Sequence, residues 1–236
     1  VGRILDHLKR TGLDKNTIFV VMSDHGEDLY DPDCTLGHGT NFFGGDQNNK
    51  IPLIMRLPDG QMGGNKVDGI TRNVDFMPTI LDLVGIDEKP AGMDGKSLTQ
   101  AMAGRTTDLE TAAYAETCYL FYPKKVKGEE VYVMEPADQT LAIDPDFDNN
   151  FVLKPKYHDY VVDTKDRMMR TPRWKLIYIK GKNGPIYRLY DMIEDPTQRN
   201  DLSRDGLPVF DRMVEHLEEW MRTGKDRPWP KHLDDS

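Results

Sequence analysis

Cysteine is nearly absent: two residues, Cys34 and Cys118, in a chain of 236. Two thiols build neither a disulfide framework nor a cysteine metal cage, and a single bridge between them is the most they could form. Long apolar runs are missing too. No uninterrupted stretch approaches the ~20 residues of a membrane-crossing helix, and the mean hydropathy is −0.63, so such a helix is excluded. Basic charge is in deficit, with 31 Lys and Arg against 40 Asp and Glu for a net −9. Binding along a phosphate backbone needs clustered cations, and the basic cluster here is the short Lys124–Lys127 run, so nucleic acid is excluded as a partner. The opening Val1-Gly2-Arg3-Ile4-Leu5 has no initiator Met, charged leader or apolar leader core, and is expected to be the interior of a longer chain. Ten Tyr, eight Phe and three Trp exclude a disordered chain, and the length suits one large domain or two small ones.

What is present divides near residue 110. Val1, Ile4, Leu5 and Leu8 recur at helical spacing and stop at Gly12. Ile18-Phe19-Val20-Val21-Met22 and Ile51-Pro52-Leu53-Ile54-Met55 are continuous apolar runs, the pattern of strands covered on both faces. Val74, Met77, Ile80, Leu81 and Val84 predict a second helix with Asp75 as N-cap and Gly85 as terminator. Residues 1–110 therefore read as part of a doubly wound α/β sheet that is incomplete, its upstream strands missing.

Residues 111–236 read as a smaller α+β subdomain. Short strands are expected at Ala113–Thr117 and Val131–Met134. Arg173–Ile179 alternates, with Trp174, Leu176 and Tyr178 on one side and Lys175 and Ile177 on the other. The turn Lys180–Pro185 returns it as a hairpin through Ile186–Asp191. Phe210, Met213, Val214, Leu217, Trp220 and Met221 form the clearest helical stripe, so a small antiparallel sheet packed with a C-terminal helix is predicted. The stretch around 135–166, rich in Asp, Pro and Asn and without sustained periodicity, reads as a surface insertion.

The residues able to do chemistry concentrate just after the first apolar run, in Ser23-Asp24-His25-Gly26-Glu27. Ligands of open α/β sheets gather beyond the carboxyl ends of strands, and Asp24 and His25 leave such an end with a glycine to let the chain turn. One hard oxygen beside one imidazole suits a divalent metal; an Asp capping a helix beside a surface His is the competing reading. Thirteen residues on, Gly37-His38-Gly39-Thr40 presents a His open on both sides, able to polarise an anionic group or protonate a leaving oxygen. His7, His216 and His232 are expected in solvent, and His158 in a structural role. Asp144–Asn150 fails the calcium-loop pattern and Gly92–Ser97 fails the phosphate-loop pattern. Met168, Met169, Met213 and Met221 read as core fillers.

Taken in order, Asn16–Glu27, Gly37–Thr40, Ile51–Ile54, Asn73–Thr79, Gly95–Leu98 and Leu189–Asp191 through Asp195–Pro196 resemble the type I sulfatases of the alkaline phosphatase superfamily. By this resemblance the chain would be the C-terminal half of a sulfuric ester hydrolase acting on a small-molecule or glycan sulfate ester. Calcium would be its metal, with Mn, Zn or Mg as alternatives, and a formylglycine made from Cys or Ser its nucleophile. Asp24 and His25 would be metal ligands, with His25 where many members carry Asn. His38 would be the catalytic, substrate-binding residue, standing where many carry Lys. The Cys/Ser-x-Pro-x-Arg maturation motif is absent, since Cys34 precedes Thr35-Leu36 and Cys118 precedes Tyr119-Leu120, so this chain alone is expected to be inactive. An Asp-His pair also occurs in relatives that cleave phosphonate monoesters or phosphodiesters, which keeps that activity open, and the missing nucleophile leaves open a non-catalytic binding module. A periplasmic or extracellular location is what the resemblance implies; oligomeric state is not readable.

Overall fold

The computed structural model describes residues 1–30, 36–39, 41–88, 90–106, 109–117, 129–132 and 136–234. Cys34, Cys118, Thr40 and the Lys124–Lys127 run lie outside them. In chain order the elements are α1 (Gly2–Thr11), β1 (Phe19–Met22), β2 (Asp28–Leu29), β3 (Leu36–Gly37), β4 (Leu53–Arg56), α2 (Phe76–Leu83), α3 (Thr99–Met102), β5 (Ala113–Glu116), α4 (Ala137–Thr140), β6 (Leu141–Asp144), β7 (Asn150–Leu153), α5 (His158–Thr164), β8 (Arg167–Arg170), β9 (Trp174–Gly181), β10 (Gly184–Asp191) and α6 (Pro208–Thr223). They cluster into two compact units. One comprises Val1–Gly26 and Asn49–Thr111, the other Glu27–Asn48 and Ala112–Ser236. Among the described residues no helix is long and apolar enough to cross a membrane.

In the first unit α1 ends where expected, at Gly12 in the left-handed conformation, its amide bonded back to Leu8 and Lys9. β1 and β4 pair antiparallel, Phe19 opposite Arg56 and Met22 opposite Leu53. They are not the doubly covered strands their apolar runs predict: Ile54 is 62% exposed and Met22 38%. Each has one lateral partner in a two-stranded sheet, so the apolar pattern exceeds the cover that the described residues supply.

The predicted N-cap role of Asp75 is also corrected. Its carboxylate makes no cap bond to α2. Buried, it accepts instead from the Arg72 guanidinium at 2.9 Å, from the Arg72 amide at 2.9 Å and from the Lys96 amide at 2.9 Å. A buried acid with a buried base nearby does better by pairing than by capping one amide.

The second unit is built on a four-stranded antiparallel sheet ordered β10-β9-β8-β5. The β9–β10 hairpin turns where the Lys180–Pro185 signal predicts, Gly181 opposite Gly184. Period-two alternation sends Trp174, Leu176 and Tyr178 to one face, against Met169, Leu189 and the α6 side chains Val209, Met213 and Leu217. Ile177 and Ile179 point to the other face, with Met168, Ile186 and Tyr190, and are covered by Phe42 and Phe43. The segment Glu27–Asn48 thus lines the sheet face opposite α6.

Several expectations change here. The 135–166 insertion is folded, with a β6–β7 hairpin pairing Leu141 with Leu153 and Asp144 with Asn150, followed by α5. Ile143, Phe147, Phe151 and Val162 stay exposed and its other apolar side chains are at most half-buried, so burial imposes no period on the sequence. β8 follows directly, concealed by arginines at both ends. Of the Val131–Met134 strand, Val131 forms an isolated bridge to Gly181, while 133–135 lie outside the described residues. His216 is buried rather than solvated, edge-on to Trp229 at 5.1 Å, and burial with the nearby Arg227 charge pushes its imidazole below the usual range. His7 and His232 are exposed as expected, and His158 bonds the Leu153 carbonyl through Nε2 at 3.0 Å.

Lys175 overturns a commoner rule. A lysine on an alternating strand belongs in solvent, yet this one is fully buried. Its ammonium donates to the Gly45 carbonyl at 2.6 Å and lies 3.3 Å from Asp46 Oδ1, while Arg170 Nε donates to Asp46 Oδ2 at 3.0 Å. Gln198 Oε1 accepts from the Gly45 amide at 2.6 Å. A side chain at Gly45 would meet the Gln47 amide oxygen at 2.6 Å and the Pro196 carbonyl at 2.9 Å, so only glycine lets the backbone come this close. Burial pushes the Asp46 carboxyl up, but Lys175 and Arg170 outweigh it and hold it below the usual carboxylate range.

Asp46→Ala is expected to cost roughly 3–5 kcal/mol, because it strands a buried ammonium, and Asp46→Ala with Lys175→Met to recover most of that. Because the native Asp46 value is depressed, its stabilisation is present above the unfolded-state value of ~3.9 and is lost as pH falls through the native one. Urea unfolding of wild type and Asp46→Asn at neutral pH and near pH 3 checks this; the gap between them should shrink in acid.

Candidate active site

At the end of β1, Asp24 and His25 both face solvent, the Asp24 side chain 87% exposed and that of His25 41%. The turn is tied locally: Ser23 Oγ donates to the His25 carbonyl at 2.6 Å and the His25 amide to Asp24 Oδ1 at 3.0 Å. His25 Nδ1 lies 2.6 Å from the Gly26 carbonyl, an acceptor only, so Nδ1 holds the proton and Nε2 is the basic nitrogen of the neutral ring. Asp24 Oδ2 is 3.8 Å from that Nε2. The separation is too long for a hydrogen bond. Donor atoms sharing one cation at about 2.1–2.4 Å lie roughly 3–4 Å apart, so the pair fits a divalent ion in spacing, in donor chemistry and in the carbonyl that orients the imidazole.

His38 belongs to the second unit. It follows β3, between Gly37 and Gly39, whose φ angles of 133° and 66° put both in the region that favours glycine. Its imidazole is 51% exposed, with Nδ1 3.0 Å from Glu27 Oε2. The loop behind it is tied to a buried acid. Gln47 Nε2 and Asn48 Nδ2 donate to the two carboxylate oxygens of Asp28 at 3.0 and 3.2 Å, and Asn48 Oδ1 accepts from the Gly39 amide at 3.4 Å. Sequence reasoning assigned no role to Glu27 or Asp28.

The remaining motifs are structural. Gly95–Leu98 packs on Asn73–Thr79: a side chain at Gly95 would run into the Val74 carbonyl, the Leu98 amide donates to Thr79 Oγ1 at 3.0 Å, and the Lys96 amide to Asp75. Asp191 holds the turn after β10 through Arg173 at 2.8 Å and the amides of Ile193 and Glu194. Burial raises its carboxyl, and Arg173 with those amides brings it below the usual range.

Comparison with known proteins agrees with this architecture. Residues 1–86, which contain Asp24, His25 and His38, match the family model described as Sulfatase. The chain is 27% identical over 232 residues to the Delta 4,5-hexuronate-2-O-sulfatase of Bacteroides thetaiotaomicron, a match covering 96% of this chain and 39% of that protein. A solved structure in complex with its substrate D-glucosamine-2-N,6-O-disulfate superimposes with a TM-score of 0.62 at 24% identity, covering 94% of this chain and 37% of that one. The phosphonate monoester hydrolase of Agrobacterium radiobacter does so with a TM-score of 0.63 at 24% identity, covering 94% and 38%. Over residues 1–86 the chain is similar to the sulfatase family, and it spans about 39% of the length of curated relatives such as that hexuronate sulfatase.

Asp28→Ala removes the acceptor of two side-chain amides beneath the His38 loop, and is expected to lower stability by roughly 2 kcal/mol. A urea midpoint shift with an unchanged slope checks it.

Proposed function

We propose that the complete enzyme containing this chain hydrolyses sulfate esters of sugars, and that Asp24, His25 and His38 are this chain's share of its active site. The observation that supports the reading most is the position of all three inside residues 1–86, the stretch matched to the sulfatase model, each on a solvent-facing turn fixed by local hydrogen bonds. A sugar substrate is supported by the hexuronate named for one relative and the glucosamine disulfate bound by a fold neighbour.

Asp24 through a carboxylate oxygen and His25 through Nε2 are the residues that would hold a divalent cation, calcium first, with Mn, Zn or Mg as alternatives. Such a cation supplies charge neutralisation at the sulfate oxygens. Two donors alone hold a cation weakly, so the rest of the shell comes from elsewhere in the complete enzyme. His38 meets the ester with its imidazole, binding an oxygen of the anionic group or giving a proton to the departing oxygen. The nucleophile likewise comes from outside this chain, which has no Cys or Ser followed by x-Pro-x-Arg.

A second reading, a phosphonate monoester or phosphodiester hydrolase, is favoured by the imidazole at position 25, which suits metals other than calcium, and by the phosphonate monoester hydrolase among the fold neighbours. The complete enzyme is expected to turn over an aryl sulfate faster than the matched aryl phosphodiester. The opposite order selects the second reading, and turnover of neither selects a binding module. In the same protein His25→Ala should lower the bound divalent ion measured by elemental analysis. His38→Ala should leave the ion in place and lower kcat/KM by about 100-fold.

A further inference from the structure

Glu27 and His38 face each other at the open end of a very short ribbon. β2 pairs with β3 so that Asp28 lies opposite Gly37, and antiparallel register then places Glu27 opposite His38. Side chains so placed start about 5 Å apart at Cβ, within reach of a carboxylate and an imidazole. Glu27 Oε2 and His38 Nδ1 are 3.0 Å apart. Both backbones are held from behind, Glu27 by its amide on the Gln47 carbonyl at 3.2 Å and His38 by its neighbour Gly39 on Asn48.

A carboxylate only accepts, so the proton of this contact is on Nδ1. In a solvated neutral histidine the proton prefers Nε2, and a hydrogen bond at Nδ1 is what reverses that preference. An ion pair with side chains 51% and 41% exposed adds little to stability, so holding the fold together is a poor account of it.

We infer that Glu27 is the positioning residue of His38: it keeps the proton on Nδ1, fixes the ring plane, and makes Nε2 the atom that meets the ester. This rests on the reading of His38 as the substrate-facing imidazole. In the cleavage step the nucleophile supplied from outside this chain forms its bond to sulfur, the bond from sulfur to the ester oxygen breaks, and that departing oxygen takes the proton from Nε2 of the doubly protonated ring. The ring that remains is neutral and protonated on Nδ1, the form that Glu27 holds.

Nitrogen-15 spectra of the imidazoles in the 236-residue chain, taken above the usual histidine range and assigned with His38→Ala, test the tautomer without any turnover. Wild type should show the Nδ1–H form. Glu27→Ala should move His38 to Nε2–H, and Glu27→Gln, whose amide oxygen still accepts, should retain the wild-type form, with thermal unfolding midpoints nearly unchanged in both. A wild-type ring protonated on Nε2, or an Nδ1–H form that survives Glu27→Ala, overturns the inference.

In the complete enzyme Glu27→Ala should lower kcat about tenfold or more with KM little altered, and Glu27→Gln should restore part of the loss. Turnover that falls in His38→Ala but not in Glu27→Ala sinks the inference while leaving the functional reading intact. Turnover untouched by His38→Ala removes both, whatever the tautomer.

Discussion

A fully buried lysine fixes the segment on which His38 stands. Lys175 points from β9 into the sheet face opposite α6, and its ammonium finds the Gly45 carbonyl and the Asp46 carboxylate. Desolvating an ammonium is costly unless oxygen surrounds it, so the strand and the Gly44–Asp46 backbone require one another. Arg170 on the neighbouring strand holds the other Asp46 oxygen, and Gln198 holds the Gly45 amide. Three polar side chains thus lock a segment that apolar contacts from Phe42 and Phe43 alone would leave free to slide. The Asp28–Asn48–Gly39 hydrogen bonds then carry that rigidity outward to the His38 loop.

Much of this was legible in the residue pattern. Helix α1 with its Gly12 stop, the β9–β10 hairpin and the α6 stripe are long enough for period to speak, and each appears where period places it. Asp24, His25 and His38 stood out because a carboxylate and imidazoles beside glycines are the wrong chemistry for a core and the right one for a strand end.

The unread parts share a physical cause: the interaction that decides them is distant in sequence. Glu27 was given no role because the ribbon that sets it opposite His38 has two residues per strand, too few for an alternation to register. The burial of Lys175 went unread because nothing nearby in sequence announces the Gly45 carbonyl, 130 residues away, that receives it. His216 was expected in solvent, its partner Trp229 lying beyond the end of its helix. The β6–β7 hairpin buries so little of Phe147 and Phe151 that folding left no apolar signature.

The second unit is discontinuous, closed from Glu27–Asn48 and Ala112–Ser236 with residues 49–111 running as an excursion between them. Its key bonds, Lys175 to Gly45 and Gln198 to Gly45, therefore join positions 130 and 153 residues apart. Contacts so remote are among the slowest to form, since chain closure must precede their reward. Local hairpins such as β9–β10 can assemble early, but the face that seats Phe42 stays open until the early segment arrives. The Glu27–His38 pair lies on that early segment, so the Lys175 anchorage behind it forms only with that long-range closure.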